Sequence, residues 1–200
     1  MITLVFDTCL DKMYVALKKD GNFLSSKVIE NHDNKYHSAF LISTIKGVLR
    51  DNNLRPENID LIGVNIGPGS FTGIRACVTT ARVMAQQLNC KTIGVSSLEI
   101  LSKAYNKKDS IVALDARKNC AYLFKDNEIK GAVPIEEIST AGLNVLTDDK
   151  LQKILNGESY QSLNLPLGEV LADIAEEKVQ NLEADWRFLK PLYIQPPPMG

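Results

Sequence analysis

The chain has 200 residues, 44% hydrophobic and 24% charged, with a formal net charge of −1. That length suffices for a packed core, as one domain or two small lobes, and the mixed, near-neutral charge argues against a protein that grips a nucleic-acid backbone through a basic face. With no apolar run of about 18 residues, no secretory signal in "MITLVFD" and no C-x-x-C pair among Cys9, Cys77, Cys90 and Cys120, the expectation is a cytoplasmic chain with reduced thiols.

"ITLVFD" reads as a buried strand ending at Asp7. "KMYVALKK" alternates, with Met13, Val15 and Leu17 on one face and Tyr14 and Ala16 on the other. A turn at Lys19–Gly21 leads to "NFLSSKVIE", and this hairpin spacing predicts an antiparallel meander. "HSAFLISTIKGVLRDN" carries the helical stripe Leu41, Ile45, Val48 and Leu49. "IDLIGVNI" is a second buried strand and runs into a glycine-rich turn. From Phe71 to Leu88 the pattern is helical, with Ile74, Val78, Ala81, Ala85 and Leu88 toward the core and Arg75, Thr79, Arg82 and Gln86 on another face. "KTIGV" is a strand, and "SSLEILSKAY" a helix capped by Ser96 or Ser97.

The second half begins by repeating the first. "IVALDARKNCAYLF" (111–124) lies on "TLVFDTCLDKMYVA" (3–16) without a gap, with Asp115 on Asp7 and Tyr122 on Tyr14. This predicts an internal duplication and two lobes, 1–106 and 107–200, each opening with a β-meander. Later signals are weaker: "LNVLT" as a strand, "LPLGEVLADIAEE" as a helix and "PLYIQPPPMG" as an extended tail. The fold class is α/β, each lobe a mixed sheet with flanking helices, the second lobe reduced.

The turn "NIGPGSFTGIR" (65–75) fits neither common nucleotide motif. A Walker A loop needs Lys and Ser/Thr after its last glycine, whereas Ile74 and Arg75 follow Gly73. A Rossmann fingerprint needs G-x-G-x-x-G and an acid about 20 residues on, and neither is present. Gly67, Pro68, Gly69 and Gly73 are therefore assigned to a structural turn that bends sharply and approaches a neighbour closely. Ser70 or Thr72 caps the helix that follows. A helix N-terminus also favours anions, so anion binding stays open at this point.

"FDT" near the start, "HS" before the first helix, "GVNIGPGSFTGIR" and "GVSSLEIL" resemble, in order and spacing, the TsaB (YeaZ) family. The resemblance covers about residues 1–105 and places the chain in the actin-like ATPase superfamily, with its two-lobed, RNase H-like duplicated fold. It implies a non-catalytic subunit needed for threonylcarbamoyl transfer to the adenosine beside the tRNA anticodon. The implied partners are the catalytic subunit TsaD and the ATPase TsaE, with self-pairing when TsaD is absent and tRNA met only through the complex. No membrane contact is implied, and no cofactor of its own, with ATP at the complex interface left open. Pairing through first-lobe helices puts Ser38, Leu41, Ile42, Ile45, Phe71, Thr72, Arg75, Ala76, Thr79 and Arg82 at the partner interface.

No residue is assigned to catalysis or to a metal. TsaD-type chemistry needs paired histidines on one helix face, and His32 and His37 would fall about 140° apart on any helix. Asp7 with Thr8 is the one cofactor candidate, because the equivalent acid orients a magnesium-bound water in relatives; the duplicate turn has Asp115 followed by Ala116 and lacks the hydroxyl. The alternatives are a small actin-like ATPase or kinase acting alone and, with less support, a protease, for which no H-E-x-x-H motif or Ser/Cys–His pairing is visible.

Overall fold

The opening alternation becomes β1 (Ile2–Asp7), β2 (Met13–Lys19) and β3 (Asn22–Ile29), paired antiparallel, in a computed structural model that describes residues 1–30 and 37–195. β4 (Leu61–Asn65) joins β1 in parallel and β5 (Lys91–Val95) joins β4, giving the order β3-β2-β1-β4-β5. Parallel neighbours need crossovers. α1 (Leu41–Asp51) and α2 (Phe71–Leu88) supply them. Leu4, Phe6, Met13, Val15, Leu17, Ile62 and Val64 of the sheet meet Leu41, Ile45, Val48 and Leu49 of α1 and Ile74, Val78, Ala81 and Ala85 of α2 in one core. Both predicted stripes thus face inward, with Leu88 only at the margin. α1 starts later than the sequence suggested, behind a 3-10 turn at His37–Phe40 that contains Ser38. His32 lies outside the described residues.

The other face of this sheet is covered by a distant segment, α5 (Leu167–Lys178). Gly63 leaves room for Ala175, and Gly168 for Ala16. Lys18 Nζ pairs with Asp173 at 2.5 Å and Glu176 at 3.0 Å, and the Thr3 hydroxyl donates to Glu176 at 2.7 Å. Consequently, among the described residues, one compact unit comprises 1–30, 37–97 and 167–192, and the other 98–166 and 193–195. This differs from the expected division at 106/107. β1 and β4 are buried on both faces, and strands of that kind require helices on both sides.

The second unit repeats the topology. β6 (Ser110–Asp115), β7 (Cys120–Lys125), β8 (Glu128–Pro134), β9 (Asn144–Thr147) and β10 (Glu158–Ser159) form the order β10-β9-β6-β7-β8. α3 (Ser97–Tyr105) belongs to it from Leu98 onward. A 3-10 turn, Ile135–Glu137, stands where α1 would be, and the single turn α4 (Gln152–Leu155) stands in place of α2. Its core is correspondingly small, built on Ile111, Ala113, Ala121, Leu123, Val145, Leu151 and Leu155. The gapless superposition needs one correction. Asp7 lies opposite Tyr14, but Asp115 lies opposite Ala121. The second hairpin turn is one residue shorter, so Tyr122 corresponds to Val15.

Candidate functional site: a sealed turn between the first hairpin and the second helix

β1 and β4 run side by side, which sets Asp7 and Asn65 next to each other at their C-terminal ends. Both are fully buried. Asp7 Oδ1 accepts the Cys9 N–H at 2.5 Å, and Asp7 Oδ2 accepts Asn65 Nδ2 at 3.0 Å. Asn65 Oδ1 in turn accepts the Gly67 N–H and the Ser97 hydroxyl, both at 2.8 Å. Burial pushes Asp7 up to about 6, against the opposing pull of the Cys9 and Asn65 hydrogen bonds.

The glycine turn folds onto this network. Gly67 has φ +103° and precedes a cis bond to Pro68, and the Ser97 hydroxyl donates to Pro68 O at 2.6 Å. Ser70 caps α2, its hydroxyl accepting the Gly73 N–H at 3.3 Å. The Ser70 N–H donates to Cys9 O at 2.8 Å, and the Thr8 hydroxyl to Gly73 O at 2.8 Å. A Cβ on Gly69 would overlap Cys9 O, and one on Gly73 would overlap Thr8 O. The glycines are required because two backbones touch. Ser97, one of two expected caps of α3, instead ties the glycine turn to Asn65.

This packing leaves no room for a phosphate between the glycine turn and the first hairpin. The carbonyls of Thr8 and Cys9 are turned toward α2, and the Ser70 and Gly73 amides already have acceptors. Asp7 and Thr8 are buried beneath the turn, so neither faces a nucleotide-bound magnesium arriving from solvent. In the second unit, Asp115 pairs with Lys150 at 2.7 Å and accepts the Arg117 N–H at 2.8 Å. Partial burial raises the Asp115 carboxyl, and those two contacts outweigh it, leaving it below the usual range.

Two thiols missed by spacing arguments meet here. Cys9 and Cys77 are both buried, and their sulfurs and an Asp7 oxygen lie within 4.8 Å of one another. Cys77 Sγ accepts the Thr8 N–H at 3.1 Å and lies 3.3 Å from the Thr8 hydroxyl; the Cys9 thiol donates to Asn65 O at 3.3 Å. Burial, then the neighbouring Cys77, holds the Cys9 thiol well above its ordinary range. No local sequence signal marks this pair, since it depends on Gly73 bringing the fourth residue after it against the first hairpin.

The residues expected at a partner interface divide. Leu41 and Ile45 are core. Arg82 is half-buried, its guanidinium 5.8 Å from the Trp186 ring, and Ala76 is half-buried. Ile42, Phe71, Thr72, Arg75 and Thr79 are exposed, with Arg75 stacked 4.0 Å over Phe71. Residues 71, 72, 75 and 79 share one face of α2. Among the described residues no helix is long and apolar enough to cross a membrane.

Residues 25–184 match the family model of TsaD, tRNA N6-adenosine threonylcarbamoyltransferase. The chain is 27% identical to the tRNA threonylcarbamoyladenosine biosynthesis protein TsaB of Bacillus subtilis over 78% of this chain and 69% of that protein. It is 26% identical to the TsaB of Buchnera aphidicola from Acyrthosiphon pisum, over 94% of this chain and 73% of that one. The solved structure of YeaZ from Pseudomonas aeruginosa has the same fold, with a TM-score of 0.72 and 22% identity across 96% of this chain and 99% of that chain. Two sheets of one topology and these matches agree: the chain belongs to the TsaD family, and its curated relatives named above are TsaB proteins.

Proposed function

We propose that this chain is a non-catalytic subunit in the biosynthesis of tRNA threonylcarbamoyladenosine. In this reading it pairs with a catalytic TsaD, helps to recruit the ATPase TsaE and meets tRNA only within that complex. The observation that carries the reading is the sealed turn: Gly69 and Gly73 lie against the carbonyls of Cys9 and Thr8, which leaves no space for a phosphate between the glycine turn and the first hairpin. The exposed α2 face of Phe71, Thr72, Arg75 and Thr79, with Ile42 of α1, supports a role through surface contact. An aromatic ring stacked by an arginine is a common anchor at protein interfaces. Any ATP in the assembly is assigned to the partner or to the junction between subunits.

The test is size-exclusion chromatography with light scattering, on the chain alone and mixed with TsaD from the same organism. The expected result is a heterodimer that Ile42→Glu or Arg75→Glu weakens without changing the melting temperature of the free chain. Failure to form any complex at micromolar concentration overturns the reading.

A further inference from the structure

The Asp7–Cys9–Cys77 cluster has a feature that packing alone does not account for. The Tyr14 hydroxyl, on a residue only 2% exposed, makes no hydrogen bond of full geometry among the described residues, and the Asp7 carboxylate is the acceptor that acts on it. Tyr14 stands opposite Asp7 across the β1–β2 ladder, and the groups acting on its hydroxyl are Asp7, Cys9 and Cys77. It stands beside Asp7, one oxygen of which lies with the Cys9 and Cys77 sulfurs within 4.8 Å of one another.

The geometry points to a thiophilic divalent-cation site, most suited to Zn2+, formed by Asp7 Oδ, Cys9 Sγ and Cys77 Sγ, with the Tyr14 hydroxyl at the fourth position or bound to it through water. This site goes beyond the subunit role and does not depend on it. Zinc takes four ligands at about 2.0–2.3 Å, so ligand atoms around it lie about 3.5–3.8 Å apart. A cluster already within 4.8 Å needs a contraction of no more than about 1.3 Å. Magnesium and calcium prefer all-oxygen shells, and two of the three firm donors here are sulfur, which selects softer ions.

The surroundings suit such a site. Thr8 N–H donates to Cys77 Sγ, and Asn65 Nδ2 donates to Asp7 Oδ2. Donors of this kind hold a thiolate and a carboxylate in place as metal ligands. Each Asp7 oxygen accepts one hydrogen bond, which leaves it a second lone pair. Binding by two thiols releases two protons as two sulfur–zinc bonds form, so affinity rises with pH. The bound ion would fasten α2 to the first hairpin turn at the place where their backbones already touch.

The full chain, reduced and stripped of metal with a chelator, should be titrated with Zn2+ and, for spectroscopy, with Co2+. The expected result is one equivalent bound, proton release, a thiolate-to-cobalt charge-transfer band and a melting temperature that rises with free Zn2+. Cys9→Ser with Cys77→Ser should weaken binding by about 100-fold or more and remove the band. Tyr14→Phe should weaken binding by about tenfold, while His32→Ala with His37→Ala leaves it unchanged. If the cysteine variant does not fold, alkylation of the wild-type chain in mild denaturant, where buried thiols react through opening of the fold, decides: Zn2+ should slow alkylation of Cys9 and Cys77 but not of Cys90 and Cys120. The proposal is overturned by the absence of a thiolate band, by binding that survives loss of both cysteines, or by alkylation that Zn2+ does not slow.

Discussion

Gly73, in the first turn of α2, lies directly against the carbonyl oxygen of Thr8, so closely that a methyl group at Gly73 would overlap it and approach Cys9 Cα to 3.2 Å. The obstacle is backbone on both sides, which cannot swing aside as a side chain can. The glycine turn is therefore a contact surface. It lets a helix seal the hairpin that carries Asp7.

Gly73→Ala should accordingly destabilise the chain by about 3 kcal/mol, the upper range for overpacking a tight site. Gly47→Ala, in the middle of α1 with nothing within 4 Å of its new Cβ, should instead stabilise by about 0.5–1 kcal/mol through helix propensity. Urea unfolding of both variants checks the pair. Equal effects would show that the Gly73 contact does not constrain the fold.

ATP turnover offers an independent check on the sealed turn. The isolated chain should release phosphate from ATP no faster than buffer, and Asp7→Ala should leave that background unchanged. Hydrolysis that disappears in Asp7→Ala would restore the small-ATPase alternative.

The Asp7 carboxyl makes stability depend on pH in a definite direction. Its ordinary value is 3.8 and burial raises it to about 6 in the folded chain, so between those values the native state holds more protons than the unfolded one. Its contribution is complete below about pH 4 and is lost as pH rises through about 6, a change on the order of 3 kcal/mol. Asp7→Asn lacks this dependence. In chelator-containing buffer, the stability of the wild-type chain relative to Asp7→Asn should fall by about that amount between pH 4 and pH 7.5. A constant difference across that range would show that the carboxyl is not protonated in the native state.

Fragments should reveal how the units are composed. Residues 1–106 alone lack α5 and leave Gly63, Ala16 and the Lys18 ammonium without Ala175, Gly168 and the Asp173 and Glu176 carboxylates. That fragment should show little amide protection in hydrogen exchange. The same fragment supplied with residues 167–192 should regain protection in β1 and β4. A cooperative melt of 1–106 alone would contradict this.

Much of the framework was legible in the sequence because periodicity is a local property. Alternation in 13–19 and the 3.6-residue stripes of α1 and α2 identify the faces that leave water, and those faces form the core. The repeat of strand, aspartate and strand is likewise visible in sequence, and the two sheets share one topology. Its register was not legible, because a single residue dropped from a hairpin turn changes which side chain faces Asp115. The interface residues were legible only in part. Leu41 and Ile45 belong to the core stripe, and Arg82 meets Trp186, a partner remote in sequence.

By itself, the sequence determined the order of elements in the first half, the apolar faces, the internal duplication and the family resemblance; α4 and β10 of the second unit carried no signal in it. Tertiary structure decided that α5 covers the first sheet, that Asp7 is buried, and that Asp7, Cys9 and Cys77 share one cluster. The physical reason is distance along the chain. Burial preference is encoded residue by residue, whereas these meetings depend on close approaches of backbone, at Gly63, Gly69 and Gly73, between segments that no local pattern connects.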